Sequence, residues 1–165
     1  MIFWILAFSY WIHMLATVVW LGGMALMALV AWPALRQGTL AANQWLTLQR
    51  RFLPWANASL VILLVTGFVQ MTNDANYNGF LVIDSIWAWA MLLKHVAFIG
   101  MVVIVVIMQA VLYPAMERLE LLLEKQPKTA HAQQAQLQAR ELRLLRLNLL
   151  CAALVLLFTA VATAV

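Results

Sequence analysis

The stretch that decides the fold is IFWILAFSYWIHMLATVVWLGGMALMALVAW, residues 2–32, in which no lysine, arginine, aspartate or glutamate occurs. As a helix rising ~1.5 Å per residue it would outrun the ~30 Å of hydrocarbon in a bilayer. Three further apolar runs reach spanning length: about 52–71, about 86 to Tyr113-Pro114, and about 144–165. Lipid offers backbone groups no partner, so each run is expected to be helical. Composition points the same way, with 66% hydrophobic and 10% charged residues among 165. A soluble domain of this size has no use for that much apolar surface. The expected fold is all-α: one integral membrane domain over 1–165, a four-helix up-down bundle. Its helices are placed at about 2–32, 52–71, 86–126 and 129–165, with helices three and four extended into a cytoplasmic helical hairpin.

The N-terminus has no basic segment ahead of its apolar run and is expected to be retained as a spanning helix rather than cleaved as a signal peptide. Charge in the loops sets an orientation. Arg36, Arg50 and Arg51 lie in or beside the first loop. Asp74 and Asp84 lie in the second, and Arg118, Lys125, Lys128, Arg140, Arg143 and Arg146 in or beside the third. Basic loops stay inside, so loops one and three are expected in the cytoplasm and both termini outside, in a bacterial-type inner membrane. Trp4, Trp11, Trp87 and Trp89 at one level, with Trp32, Trp45 and Trp55 at the other, suit interfacial belts.

Several classes are excluded. A net charge of +4 held in two loops gives no nucleic-acid surface. Cys151 is the sole cysteine, which rules out an intrachain disulfide or a multi-cysteine metal site and predicts an inert buried thiol. No nucleophile–base pair, phosphate loop or paired buried carboxylate suggests a hydrolase, and the catalytic residues, if any, are not named by the sequence. Pro127 separates two stretches rich in good helix formers, Thr129 is placed to cap the second, and His131 on that hairpin is expected to be a solvated surface residue. No internal repeat stands out.

Two histidines interrupt the apolar runs. His13 and His95 lie at similar distances from the outer ends of helices one and three, roughly 14–17 Å down at ~1.5 Å per residue. In an up-down bundle these helices are diagonal, so the two rings are expected to share a level and face each other as ligands of one metal. His13, Thr17, Trp20 and Met24 follow one helix face, with Ala16 and Gly23 leaving room beside it. Met91, His95, Phe98, Val102 and Gln109 form the matching stripe on helix three. Lys94 is costly at that depth, so it is expected either to snorkel toward Asp84 or Asp74 or to hold an anionic group such as a haem propionate.

Three segments carry a family resemblance: HMLATVVWLGG (13–23), RRFLPWANASLVILLVTG (50–67) and LLKHVAFIGMVVIVVIMQAVLYP (92–114). Together they resemble the CopD-type copper-resistance membrane domain. They are also similar to the HemJ-type protoporphyrinogen oxidases. The resemblance covers roughly residues 8 to 114. It implies copper passage across the inner membrane, or haem and porphyrin redox chemistry, and it marks His13, Trp20, Arg51, Thr66, Gly67 and Lys94 as recurrent positions.

The leading expectation is a membrane-integral b-type haem protein, cytochrome b-like, with His13 and His95 as metal ligands and electron transfer as its task. Thr17, Trp20, Met24, Met91, Lys94, Phe98 and Arg51 would line the cofactor. Were it an enzyme, it would be a haem-dependent oxidoreductase. The alternative is a copper-binding or copper-transport protein of CopD type, with His13, Met91 and His95 as a path, since soft thioethers and imidazoles suit Cu(I). A porphyrin oxidase, with Lys94 and Arg51 as anion contacts, is a further alternative. So is an accessory subunit of a larger membrane complex. The expected partners are the lipid bilayer, a quinone or redox protein, and a second copy or larger assembly.

Overall fold

The computed structural model describes residues 2–79, 82–123 and 127–165; the side chains of 2, 120–123 and 127–132 lie outside that description, and with them the expectations for His131 and Thr129. Every regular element among the described residues is helical. In order they are α1 (Ile2–Leu26), a π-helical turn (Met27–Ala31), α2 (Trp32–Arg36), α3 (Ala42–Thr72), α4 (Ile86–Ile107), a second π-helical turn (Met108–Leu112), α5 (Tyr113–Leu123) and α6 (Pro127–Ala164). Four rods, Phe3–Arg36, Ala42–Thr72, Ile86–Leu119 and Gln133–Ala164, are long and apolar enough to cross a membrane. The chain divides into two compact units, Met1–Ala90 with Val165, and Met91–Ala164.

In the first unit α1 and α2 turn back along α3. Gly38 makes the reversal possible: its φ of 73° is a left-handed conformation that costs glycine little. Around it the Gly38 amide bonds the Leu35 carbonyl and the Thr39 amide the Ala34 carbonyl, a pairing that satisfies the last carbonyls of α2. On the far side the Gln44 side chain accepts the Ala41 amide and opens α3.

The helix therefore starts ten residues before the apolar run at Phe52. Its first turns are amphipathic rather than apolar, and they bury Trp45, Leu46 and Gln49. Pro54 consequently falls inside α3 and not in its first turn. Trp32 and Trp45, which composition alone would send to a lipid-facing belt, instead pack edge-on at 5.9 Å. Higher in the pair Gly23 lies against Phe52, and any Cβ there would enter the Phe52 ring.

The second unit is also a hairpin. The helix from Ile86 to Leu123 is unbroken, and α6 alone has 38 residues. Each would extend about 57 Å at ~1.5 Å per residue, so both outrun a bilayer core. Buried positions on the first rod are Met101, Val105, Met108, Leu112, Met116 and Leu119. Those on α6 are Glu141, Leu145, Asn148 and Ala152. Both sets recur every three or four residues, as a single packed face requires.

Neither Pro33 in the first rod nor Pro114 in the third ends its helix, although helix one was expected to end at about residue 32. Each proline lacks an N–H, and each is preceded by a five-residue π turn that closes on the residue just before it. The Trp32 amide reaches back to the Met27 carbonyl and the Tyr113 amide to the Met108 carbonyl. The wider turn accommodates the missing donor while the rod continues. The two turns also share a short sequence pattern. MALVAWP (27–33) and MQAVLYP (108–114) share methionine, valine, an aromatic residue and proline at the same spacing. Each ends about twenty residues beyond a histidine, His13 or His95. One hairpin pattern is thus written twice.

The outward faces are apolar. Trp4, Val18, Leu29, Trp55, Ile86 and Val96 are all exposed. A water-facing protein does not display so continuous a greasy surface, and a lipid-facing one must.

Candidate metal-ligand histidines

His13 is half-buried on α1, and its Nδ1 lies 2.7 Å from the Thr66 hydroxyl on α3. The Thr66 hydroxyl has one proton, and it donates that proton to the Ile62 carbonyl at 2.6 Å. Its oxygen can therefore only accept from the ring, which places an imidazole proton on Nδ1. Below the ring lies Gly67, where an added Cβ would come within 3.7 Å of His13 Cε1. Thr17, one turn further, bonds the His13 carbonyl at 2.9 Å, so its hydroxyl serves the helix.

The face continues in both directions. Ser9, Ala16, Trp20, Met24 and Met27 are all buried, and Gln70 of α3 donates to the Ser9 carbonyl at 3.4 Å. Ser9 Oγ and Trp20 Nε1 are buried with no hydrogen-bond partner. Buried orphans are uncommon in folded chains. Their presence on either side of His13 fits a face built to meet a further group.

His95 has the same tautomer for a simpler reason. Its Nδ1 lies 2.6 Å from the Met91 carbonyl, which can only accept. In both hairpins, then, the histidine Nδ1 lies against an oxygen. Ligating histidines are held in just this way, with the second ring nitrogen donating to a fixed acceptor.

Lys94 and Phe98 are half-buried, as is Met91, while Arg51 is exposed on α3. Trp20 and Met24 are buried. Thr17, Trp20 and Met24 belong with His13 to the first unit, as does Arg51; Met91, Lys94 and Phe98 belong with His95 to the second. Among the described residues no three His, Cys, Asp or Glu side chains cluster to hold a metal, so further ligands would have to be methionines or supplied by the bound species.

Sequence reasoning passed over two buried polar residues. Glu141 is 0% exposed and Asn148 is 1% exposed, both on the packed face of α6. The signal was present: an amide inside the run beginning at Leu144 is the kind of intramembrane polar group that calls for a partner.

The four long apolar rods and their greasy outward faces define an all-helical, multi-pass membrane protein with a half-buried histidine in each of two hairpins. The sequence model of the CopD family, described as copper resistance protein D, matches residues 46–162, and the chain belongs to that family. Neither a curated protein nor a solved structure matches it significantly. The matched stretch includes Arg51, Thr66, Gly67, Met91, Lys94, His95 and Phe98, and begins after His13, Thr17, Trp20 and Met24.

If Thr66 orients a metal ligand, removing its hydroxyl should weaken the metal site without emptying the fold. Thr66→Val is expected to lower copper affinity about 10- to 100-fold, the usual cost of losing a ligand's hydrogen-bond partner. Thr66→Ser should keep the affinity. Competition against a chelator of known strength would measure both.

Proposed function

We propose that this protein binds copper as Cu(I) within the membrane and passes it across, with His13, Met91 and His95 as ligands along the path. The observation that carries the proposal is that each histidine has its Nδ1 held by an oxygen, the Thr66 hydroxyl for His13 and the Met91 carbonyl for His95, so that Nε2 is the ring nitrogen that would meet a metal. Membership of the copper-resistance family supports copper as the cargo. Imidazole and thioether are donors that Cu(I) accepts readily. Met91 and His95 stand one turn apart on α4, where side chains share a face. In this proposal the loop with Asp74 and Asp84 faces outward, and the arginine-bearing ends face the cytoplasm of a bacterial-type inner membrane.

A second reading rests on the same two nitrogens. They would be the axial donors of a b-type haem, Lys94 would serve a propionate, and the partner would be a quinone or redox protein. Purification from cells supplied with both copper and haem separates the two. The copper reading expects metal in the protein and no Soret band. A red preparation with sharp reduced α and β bands, free of copper, would replace it with the haem reading.

A further inference from the structure

The outward face of α6 carries charge at one end and hydrocarbon along the rest. Arg140, Arg143 and Arg146 are all exposed. At 3.6 residues per turn, Arg140 and Arg146 flank Arg143, each about 60° away around the helix. Leu147, Leu150 and Leu157 continue the stripe, all within about 40° of Arg143. They are 45%, 56% and 55% exposed. The packed face, with Glu141, Leu145, Asn148 and Ala152, is turned to the opposite side. Glu141 is the one acidic residue between 127 and 164, so no acid of α6 shares the stripe.

The three arginines stand where the apolar run begins, at about 144, and cover ~9 Å of helix. With the run beyond them crossing the hydrocarbon, they fall at the level of the headgroups. A guanidinium there can meet a phosphate with two parallel N–H donors, and it sheds water more readily than an ammonium. The leucines beyond need acyl chains against them, as any lipid-facing apolar surface does. One molecule offers both chemistries in that order, a phosphate at its head and hydrocarbon running from it along the helix. A zwitterionic lipid also has a phosphate, but its own cation competes for it. A headgroup of net negative charge leaves the phosphate to the arginines.

We propose that this stripe of α6 is a binding site for an anionic phospholipid. Arg140, Arg143 and Arg146 hold its phosphate, and its acyl chains lie along Leu147, Leu150 and Leu157. The site does not depend on what the histidines hold.

The test takes the full-length protein in non-ionic detergent with equal amounts of dioleoyl phosphatidylglycerol and dioleoyl phosphatidylcholine, and counts each bound lipid by native mass spectrometry. Phosphatidylglycerol should be retained about fivefold or more over phosphatidylcholine. Arg140→Gln with Arg143→Gln and Arg146→Gln should bring that ratio close to one. Arg36→Gln with Arg51→Gln, which removes two exposed charges from the first hairpin, should leave it unchanged. Glycerol phosphate, a headgroup without chains, should not displace the lipid. A ratio near one in the unaltered protein overturns the site, and so does a preference that survives the triple substitution. An equal fall in the first-hairpin variant would mean general surface charge, and displacement by glycerol phosphate an anion site that needs no lipid; either overturns the proposal. Should the triple variant fail to fold, Arg143→Gln at the centre of the stripe decides. The ratio should then fall about twofold or more, and an unchanged ratio overturns the site.

Discussion

Alanine at His13 is expected to abolish copper retention, and alanine at His95 to do the same. The effect should exceed the roughly 10- to 100-fold loss expected when only a ligand's hydrogen-bond partner is removed, because here the donor atom itself is gone. The geometry makes the experiment informative beyond a simple loss. His13 is braced across its hairpin by Thr66, whereas His95 is held by a carbonyl of its own helix. Removing His13 also strips Thr66 of its donor, so His13→Ala should cost some stability that His95→Ala does not. A His13→Gln variant keeps an amide donor toward Thr66 but offers a poor ligand, and should separate the two losses. Copper content per protein, read beside thermal unfolding in detergent, checks each expectation. Full copper retention in both alanine variants would end the histidine path.

The second large effect is expected at Asn148, and it is a gain in stability. Both polar atoms of this side chain are buried without partners. Leaving a polar group buried and unsatisfied costs about 1–3 kcal/mol. Leucine has nearly the same size and no such groups, so Asn148→Leu should stabilise the copper-free protein by an amount of that order. An alanine would not serve, because it would open a cavity costing as much as it relieved. Thermal unfolding in detergent would show it; a leucine variant that is destabilised would refute the assignment of an unsatisfied amide.

Much of the architecture was legible because lipid leaves a chain few choices. Runs such as 2–32 must be helical, and four of them suffice to define the rods. The errors came where something other than hydropathy took over. The start of α3 is amphipathic, and its burial of Trp45 and Gln49 is a matter of pairing that an apolar-run criterion cannot register. Pro33 looked like a stop because a proline inside an α-helix loses a bond, but a π turn absorbs that loss. The duplicated Met-x-x-Val-x-aromatic-Pro pattern was readable and was missed, since its intervening residues differ and apolar helices look alike. Of the site, the histidines announced themselves. The family resemblance marked Thr66, but its role as acceptor required the fold. Glu141 and Asn148 sat in plain view, yet their burial depends on which face of α6 turns inward.

The π turns have one more consequence. Each inserts a residue into an otherwise regular rod, turning everything on one side by about 100° relative to the other. In the first rod that offset lets His13 address Thr66 while Trp32 still reaches Trp45. Phase between the two ends is thus carried by a single surplus residue, one that could be removed from 27–31 without touching any side chain of the site. A rod so trimmed would keep its length and its greasiness and lose its aim. In this protein, angular register is a quantity separate from hydrophobicity, and it is written in the spacing between histidine and proline.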